Sequence, residues 1–481
     1  MNYKMVAYLL GRIMLVMAVL MCLPFLIAAV NQETTWLGFL IAIVSQLVLG
    51  LVCSIRKPKN QDFFAKEGFV IVAMVWILTS LFGALPFYLS GQIPSYMDAF
   101  FETVSGFTTT GATILNDIES LSASALFWRS FTHWIGGMGV LVFVLAVLPK
   151  SHASQSIHLM RAEVPGPQVG KLVSRMRGTA RILYGIYIVM TVVEIICLKL
   201  AGLPWFDSIL NAFSTAGTGG FAIKNASIAA YDSALIDGII SVFMLIFGIN
   251  FTLFYLILAG RAIQAIKSEE MQWYLGIIAA ATLVITLNIM PRYEGFGNAF
   301  RYAFFQVTSI ITTTGFITAD YTHWPVLSQL ILMLLLFMGA CAGSTGGGFK
   351  VSRVLILLKS ALRELRQQVR PRAVTTISLE GRPLEDKTVY GVLSYLAIYV
   401  FVFIVSHLLI SIDSETYLTG FTAVATCLNN VGPGLDKVGP VENFSGFSVF
   451  SKLILSADML AGRLELLPIL TLLSPTTWRH R

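Results

Sequence analysis

The sequence predicts an all-α polytopic membrane protein. An N-terminal two-helix hairpin is followed by four repeats of full helix, half-length helix with loop, and second helix, set around a common axis. Three observations carry this. Hydrophobic residues make up 56% of the chain and charged residues only 12%, against about 25% charged in a soluble domain, and the mean hydropathy is +0.76. Apolar runs long enough to cross a hydrocarbon core of ~30 Å recur from one end to the other. Between them lie four short stretches ending in polar, mostly Thr- and Gly-rich turns that align without gaps.

The apolar runs fall near 5–29, 36–55, 68–89, 126–148, 182–201, 236–259, 273–290, 326–342, 389–411 and 446–473, and each is expected to be one full span. The first lacks a small-residue cleavage site and reads as a retained helix rather than a signal peptide. The net charge of +7 sets topology and does not point to nucleic acid. Most Lys and Arg lie at Lys4, Arg12, Arg56, Lys57, Lys59 and Lys66, and in the segments Lys150–Arg181, Arg261–Lys267, Lys350–Lys387 and Arg479–Arg481. With the N-terminus inside, all of these share one face, the positive-inside bias of a cytoplasmic side. Cys22, Cys53, Cys197, Cys341 and Cys427 are dispersed, and the histidines show no ligand spacing. Neither a disulfide framework nor a bound transition metal is expected.

After the hairpin at 1–58, the repeats occupy 59–150, 151–262, 263–372 and 373–481. The half-length stretches are Ser95–Phe107, Trp205–Ala216, Gly297–Ile311 and Glu415–Leu428. Each is roughly 20 Å long at 1.5 Å per residue, too short to span. The aligned turns are Thr108-Thr109-Thr110-Gly111, Gly217-Thr218-Gly219-Gly220, Thr312-Thr313-Thr314-Gly315 and Asn429-Asn430-Val431-Gly432. Ser105, Ser214, Ser309 and Thr426 stand six residues before the aligned glycines.

Non-helical backbone at membrane depth is tolerated only inside protein or against a water-filled cavity. Four such loops around a central pore aim carbonyl oxygens at the axis, where they replace the hydration shell of a monovalent cation. Glycine permits the positive φ this requires, threonine hydroxyls add oxygens or brace the loop, and the negative ends of the half-helices favour a cation. The expected ion-binding residues are Thr109, Thr110, Gly111, Thr218, Gly219, Gly220, Thr313, Thr314, Gly315, Asn430, Val431 and Gly432.

On Ser105–Thr113, Ser214–Phe221, Thr312–Phe316, Gly343–Lys350 and Asn429–Gly434, the chain resembles the Trk/Ktr/HKT superfamily of potassium transporters. The similarity is to the branch of bacterial Trk membrane subunits, and it covers the whole length, hairpin included. It implies gated, channel-like potassium uptake across the bacterial inner membrane, with a cytoplasmic N-terminus. It also implies a homodimer with a pore in each subunit, and a cytosolic TrkA-like regulator carrying nucleotide-binding domains. Potassium is cargo, and no cofactor is implied. Glycine at all four aligned positions goes with potassium preference in that superfamily, whereas sodium-favouring relatives carry serine in the first. The resemblance further makes Gly343, Ser344, Thr345, Gly346, Gly347 and Gly348 an obstructing loop below the filter. It puts Lys350 at the loop's end and Arg463 beside the pore.

The residues have readings of their own. So many glycines in Gly339–Gly348 disfavour a continuous helix, pointing to an unwound segment rather than close helix packing. Lys350 is either a sensor of that segment or a cytoplasmic anchor. Gly343–Lys350 is no phosphate loop, because Phe349 breaks the spacing. Arg463, deep in the last run, should face a cavity or a partner; the alternative is a packing pair with Asp458 or Glu465. Asp98 and Glu102 either draw cations to the outer mouth or are ordinary helix N-terminal acids. Trp36, Trp128, His133, Trp134, Trp205 and Trp324 read as an interfacial belt. Partner docking is expected on the basic loops Lys150–Arg181 and Lys350–Lys387. The competing function is a proton- or sodium-coupled potassium symporter with the same filter, although Glu194 is the main mid-span acid. No enzyme is expected, since paired carboxylates, a Ser/His pair and an HExxH helix are all lacking in the spans.

Overall fold

A computed structural model describes residues 1–60, 64–139, 176–371 and 375–478. Asn2 caps α1 (Tyr3–Val30) by accepting the Met5 N–H, and α1 packs along α2 (Trp36–Ser54). A Cβ on Gly11 would lie 2.8 Å from the Gly50 carbonyl oxygen, so paired glycines let the two backbones touch.

Repeat 1 is α3 (Ala65–Leu89), α4 (Tyr96–Phe107) and α5 (Ala123–Gly137). Repeat 2 is α6 (Met176–Leu200), α7 (Trp205–Gly217), α8 (Ala234–Phe247) and α9 (Phe251–Leu258), and a short α10 (Ala262–Ile266) follows. Repeat 3 is α11 (Glu269–Ile289), α12 (Phe296–Ile311), α13 (Val326–Met338) and α14 (Val351–Val369). An antiparallel hairpin pairs β1 (Ser378–Leu379) with β2 (Arg382–Pro383). Repeat 4 is α15 (Asp386–Ile410), α16 (Tyr417–Asn429), α17 (Val449–Arg463) and α18 (Leu467–Leu473), and α19 (Pro475–Trp478) closes the described chain. There the Tyr3 hydroxyl donates to the Trp478 carbonyl at 2.9 Å. Large apolar side chains such as Val19, Leu200, Leu334 and Leu408 stand exposed, as lipid-facing surface does.

The half-helices α4, α7, α12 and α16 fall within two residues of their expected bounds. Ser95 and Thr416 supply side-chain caps for α4 and α16, while α7 starts after Pro204 and α12 after Gly295. The second helices differ from expectation. α5 stops at Gly137, and the rest of the 126–148 run lies outside the described residues. α8 and α9 meet at 89°. α13 ends at Met338 and α14 starts only at Val351, while α17 ends at Arg463 and α18 starts at Leu467. Among the described residues, six helices are long and apolar enough to span, or seven with the bent pair, rather than ten. Glycines at the breaks explain where they fall. A Cβ on Gly136 or Gly462 would collide with the carbonyl oxygens of Phe107 and Leu428 at the ends of α4 and α16. α5 and α17 stop where they meet the half-helices of their own repeats. Hydropathy records apolarity, not continuity of the hydrogen-bond ladder.

Candidate ion pathway

Each half-helix ends in the same way. Thr109, Thr218, Thr313 and Asn430 take the left-handed conformation, with φ of +54°, +55°, +59° and +57°. The next N–H, of Thr110, Gly219, Thr314 or Val431, turns back to the carbonyl of Ser105, Ser214, Ser309 or Thr426, at 2.9, 2.9, 2.9 and 3.0 Å. These are the long bonds of a helix-terminating Schellman turn. The residues six before the aligned glycines therefore serve through their carbonyls. The glycines follow at φ +79° (Gly111), +79° (Gly220), +81° (Gly315) and +93° (Gly432).

Their missing side chains close a ring. A Cβ on Gly111 would run into the Gly219 carbonyl oxygen, one on Gly220 into Thr314, one on Gly315 into Val431, and one on Gly432 into Thr110, all under 3.0 Å. Each glycine thus backs onto the carbonyl preceding the glycine of the next repeat, in cyclic order 1-2-3-4. Only glycine allows both the positive φ and that approach.

Threonines brace the turns from behind. Thr108 donates to the Val104 carbonyl at 2.7 Å and shares a 2.8 Å hydrogen bond with Thr110. Thr312 donates to the Thr308 carbonyl at 2.6 Å and shares a 2.7 Å bond with Thr314. Repeat 2 has glycines at both bracing positions, and His133 is the reason. A Cβ on Gly219 would enter the His133 ring, and one on Gly217 would strike the His133 carbonyl. The imidazole is buried. Its Nε2 accepts the Phe221 N–H at 3.2 Å, which leaves the proton on Nδ1 to donate to the Gly106 carbonyl at 2.8 Å. In repeat 4 the Asn430 amide donates to Thr110 Oγ1 at 3.0 Å and to the Met459 carbonyl at 2.9 Å.

His133 and Trp128 are buried within the bundle, with Trp128 Nε1 donating to the Gly83 carbonyl at 3.0 Å. Trp324 is buried and Trp134 half-buried, leaving Trp36 and Trp205 exposed. Neither acid of α4 is free to draw cations. Glu102 is fully buried against Arg129 at 2.8 Å, and Arg129 also donates to the Ala222 carbonyl at 3.1 Å. Asp98 pairs with Lys452 at 2.7 Å. Sequence patterning misses Arg129 and Lys452 because they come from other helices, Lys452 from repeat 4.

Beneath the ring the broken helices are tied into a collar. Gly339–Lys350 is unwound, with positive φ at Gly339, Gly343, Gly348 and Lys350. It lies against the bend of repeat 2: Cys341 N–H donates to the Gly248 carbonyl at 3.1 Å and Phe251 N–H to that of Gly343 at 3.0 Å, while Thr345 Oγ1 donates to the Phe247 carbonyl at 3.2 Å. It also touches the ring, since Gly347 N–H donates to Thr313 Oγ1 at 2.6 Å. Lys350 is buried and its ammonium donates to the Gly346 carbonyl, so it is no surface anchor. Arg463 donates to the carbonyls of Thr345 at 2.8 Å, Gly136 at 2.6 Å and Gly137 at 2.7 Å. The two acids weighed as its packing partners are engaged elsewhere. Asp458 accepts from Ser406 at 2.6 Å, and Glu465 pairs with Arg353. Of the basic loops, 140–175 lies outside the described residues.

Four re-entrant turns closed into a carbonyl ring inside a bundle of broken helices define a polytopic membrane transporter of the four-repeat kind. The chain belongs to the TrkH family of cation transport proteins, whose profile matches residues 35–291 and 288–479. It is 37% identical over 488 residues to the Trk system potassium uptake protein TrkH of Salmonella typhimurium, with all of both chains covered. To the Trk system potassium uptake protein TrkG of Escherichia coli K12 it is 32% identical over 484 residues, with 99% of each chain covered. Among solved structures it matches the crystal structure of the potassium transporter TrkH from Vibrio parahaemolyticus at a TM-score of 0.90 and 34% identity, again over all of both chains.

Proposed function

We propose that this chain takes up potassium through a gated, channel-like pore across a bacterial inner membrane, with its N-terminus in the cytoplasm. The repeats are 59–150, 151–262, 263–372 and 373–481, and the filter is Thr109–Gly111, Thr218–Gly220, Thr313–Gly315 and Asn430–Gly432. The observation that carries the reading is the cyclic contact of the four aligned glycines with their neighbours' carbonyls. It gathers four carbonyl-bearing loops at one level, where they substitute for the water around a monovalent cation. The names of the relatives make that cation potassium.

The collar formed by Gly343–Gly348, Lys350 and Arg463 is the gate, set across the path below the filter. Opening requires the 339–350 segment to leave its hydrogen bonds to repeats 2 and 4. A TrkA-like cytosolic regulator, and assembly as a homodimer with one pore per subunit, complete the reading. The experiment is Rb⁺ against Na⁺ flux into liposomes containing the purified chain. Downhill Rb⁺ flux well above Na⁺ supports it, and equal rates overturn the filter assignment. A second reading, proton-coupled symport, draws on the buried carboxylates of Glu194 and Asp458. Rb⁺ accumulation driven by an imposed pH gradient at zero membrane potential would select it.

A further inference from the structure

α14 begins abruptly. Lys350 precedes its first residue with φ +82° and provides no side-chain cap; the Val351 N–H reaches the Ala340 carbonyl at 3.1 Å, and the Ser352 N–H needs an acceptor from outside the helix. It comes from α11. Oε1 of Glu270 accepts the Ser352 N–H at 3.0 Å and also the Ala342 N–H at 2.8 Å. One carboxylate oxygen, on a side chain that is 7% exposed, fastens both ends of the unwound segment. It sits where a helix N-terminus favours an anion.

Glu270 is itself braced from the β-hairpin. Glu380, in the turn between β1 and β2, accepts the Glu270 N–H at 3.1 Å and the Ser268 hydroxyl at 2.8 Å. Lys359 of α14 donates to the Ser378 carbonyl at 2.7 Å and pairs with Glu269. The hairpin, α14 and the start of α11 therefore form one hydrogen-bonded corner. Its inward end is the Glu270 carboxylate, gripping the segment that lies under the filter.

We propose that Glu270 is a positioning residue for gating: a clasp that holds the 339–350 segment shut and passes movement of the hairpin or of α14 to it. The proposal rests on the reading of that segment as the gate. While the clasp is made, Ala342 and Ser352 stay drawn together over one oxygen. Once it is broken, both N–H groups lose their acceptor, and the two ends are held only by the bonds of the Phe349, Lys350 and Val351 N–H groups to the carbonyls of Phe337, Met338 and Ala340.

The test is Rb⁺ flux into liposomes by the full chain with no cytosolic partner added, normalised to folded protein, for Glu270→Gln, Glu270→Ala and Glu380→Gln. Gln keeps an acceptor oxygen but not the charge, whereas Ala keeps neither. A hydrogen bond to a charged group is worth roughly tenfold in an equilibrium constant. Flux should therefore rise severalfold in Glu270→Gln, roughly tenfold or more in Glu270→Ala, where two such bonds go, and least in Glu380→Gln. With Gly343–Gly346 deleted, Glu270→Ala should add nothing, whereas a purely structural lesion would lower flux there too. If Glu270→Ala fails to fold, Glu270→Gln and Glu380→Gln carry the test. Unchanged or reduced flux in folded Glu270 variants, with the deletion raising flux, overturns the clasp. If the deletion also leaves flux at its original level, it is the gate reading that falls.

Discussion

In the carbonyl ring the four repeats do one thing four times: a half-helix, a left-handed residue, a backbone bond that closes a six-residue turn, and a glycine pressed on the next repeat's carbonyl. In the collar just below, each repeat does something different. Repeat 1 offers the bare carbonyls of Gly136 and Gly137, repeat 2 bends by 89°, repeat 3 unwinds, and repeat 4 contributes Arg463. The difference follows from the tasks proposed for them. A site that replaces a hydration shell needs equivalent oxygens on all sides. A barrier that moves needs one element free to move and others to hold it. Breaking either pattern should therefore have opposite consequences, loss of selectivity above and gain of flux below.

The largest effect on selectivity is expected in the ring. A side chain at Gly111, Gly220 or Gly315 meets both a positive φ and a neighbour's carbonyl. Strain of about 1–3 kcal/mol per such residue is enough to displace a loop. Gly111→Ser, Gly220→Ser and Gly315→Ser should each lower the Rb⁺/Na⁺ flux ratio roughly tenfold or more. Gly432 has more room, with its Cβ position 2.8 Å from the Thr110 oxygen, so Gly432→Ser should lower the ratio less. Equal ratios in all four variants and the parent would show the ring to be packing alone.

Next comes the element proposed to move. Deleting Gly343–Gly346 removes the Gly343 and Thr345 carbonyls, and with them the bonds to Phe251 and Arg463. Partner-independent Rb⁺ flux should rise well above the parent's. Flux held at the parental level in folded protein would make the segment a packing element.

The contrast also explains what could be read in the sequence. The ring of turns is legible in the sequence because its geometry is local: half-helix length, a terminating turn and a required glycine all lie within about twenty residues of each other, and the motif recurs in register. The breaks are not, because an apolar window cannot tell a helix from two. At the bend within 236–259 the marks are Gly248 and Asn250, and Asn250 caps α9 by accepting the Thr252 N–H at 2.9 Å. The sequence leaves two roles open for Asp98; it is an acid of the first turn of α4, and its partner Lys452, 354 residues away, is out of reach of local patterning. Trp128 and His133 are buried against an interfacial expectation because aromatics at a membrane boundary look alike in sequence whether they face lipid or the core.

Arg463 tests how the collar holds its barrier. A guanidinium stays charged at neutral pH, and at ~6 Å with an effective dielectric near 20 it repels a potassium ion by about 3 kcal/mol. Arg463→Ala removes this charge and three bonds to the carbonyls of repeats 1 and 3. Flux per folded molecule should rise by up to roughly a hundredfold. Arg463→Lys keeps the charge and should change flux much less. Reduced flux in Arg463→Ala, or equal gains in both variants, would leave the guanidinium a structural tie without a barrier role.

The smallest effect, and the one that probes the exception within the ring, concerns His133. Repeat 2 carries Gly219 where repeats 1 and 3 carry Thr110 and Thr314, and the imidazole occupies the space those side chains would need. If that is the whole reason, the two positions must be coupled. Gly219→Thr alone should lower melting temperature and flux, because its side chain collides with the ring. His133→Ala alone should also destabilise, because it leaves a cavity, strips the Phe221 N–H of its acceptor and leaves the Gly106 carbonyl with the Thr109 N–H alone. Such losses cost about 1–3 kcal/mol for a buried group. The double variant gives the threonine room and should be less destabilised than the sum of the singles, by about 0.5–3 kcal/mol for residues in contact. Its Rb⁺/Na⁺ ratio should lie closer to the parent's than that of Gly219→Thr. Strict additivity in a double-mutant cycle would mean that Gly219 is required for backbone reasons of its own, and that repeat 2 departs from the others independently of His133.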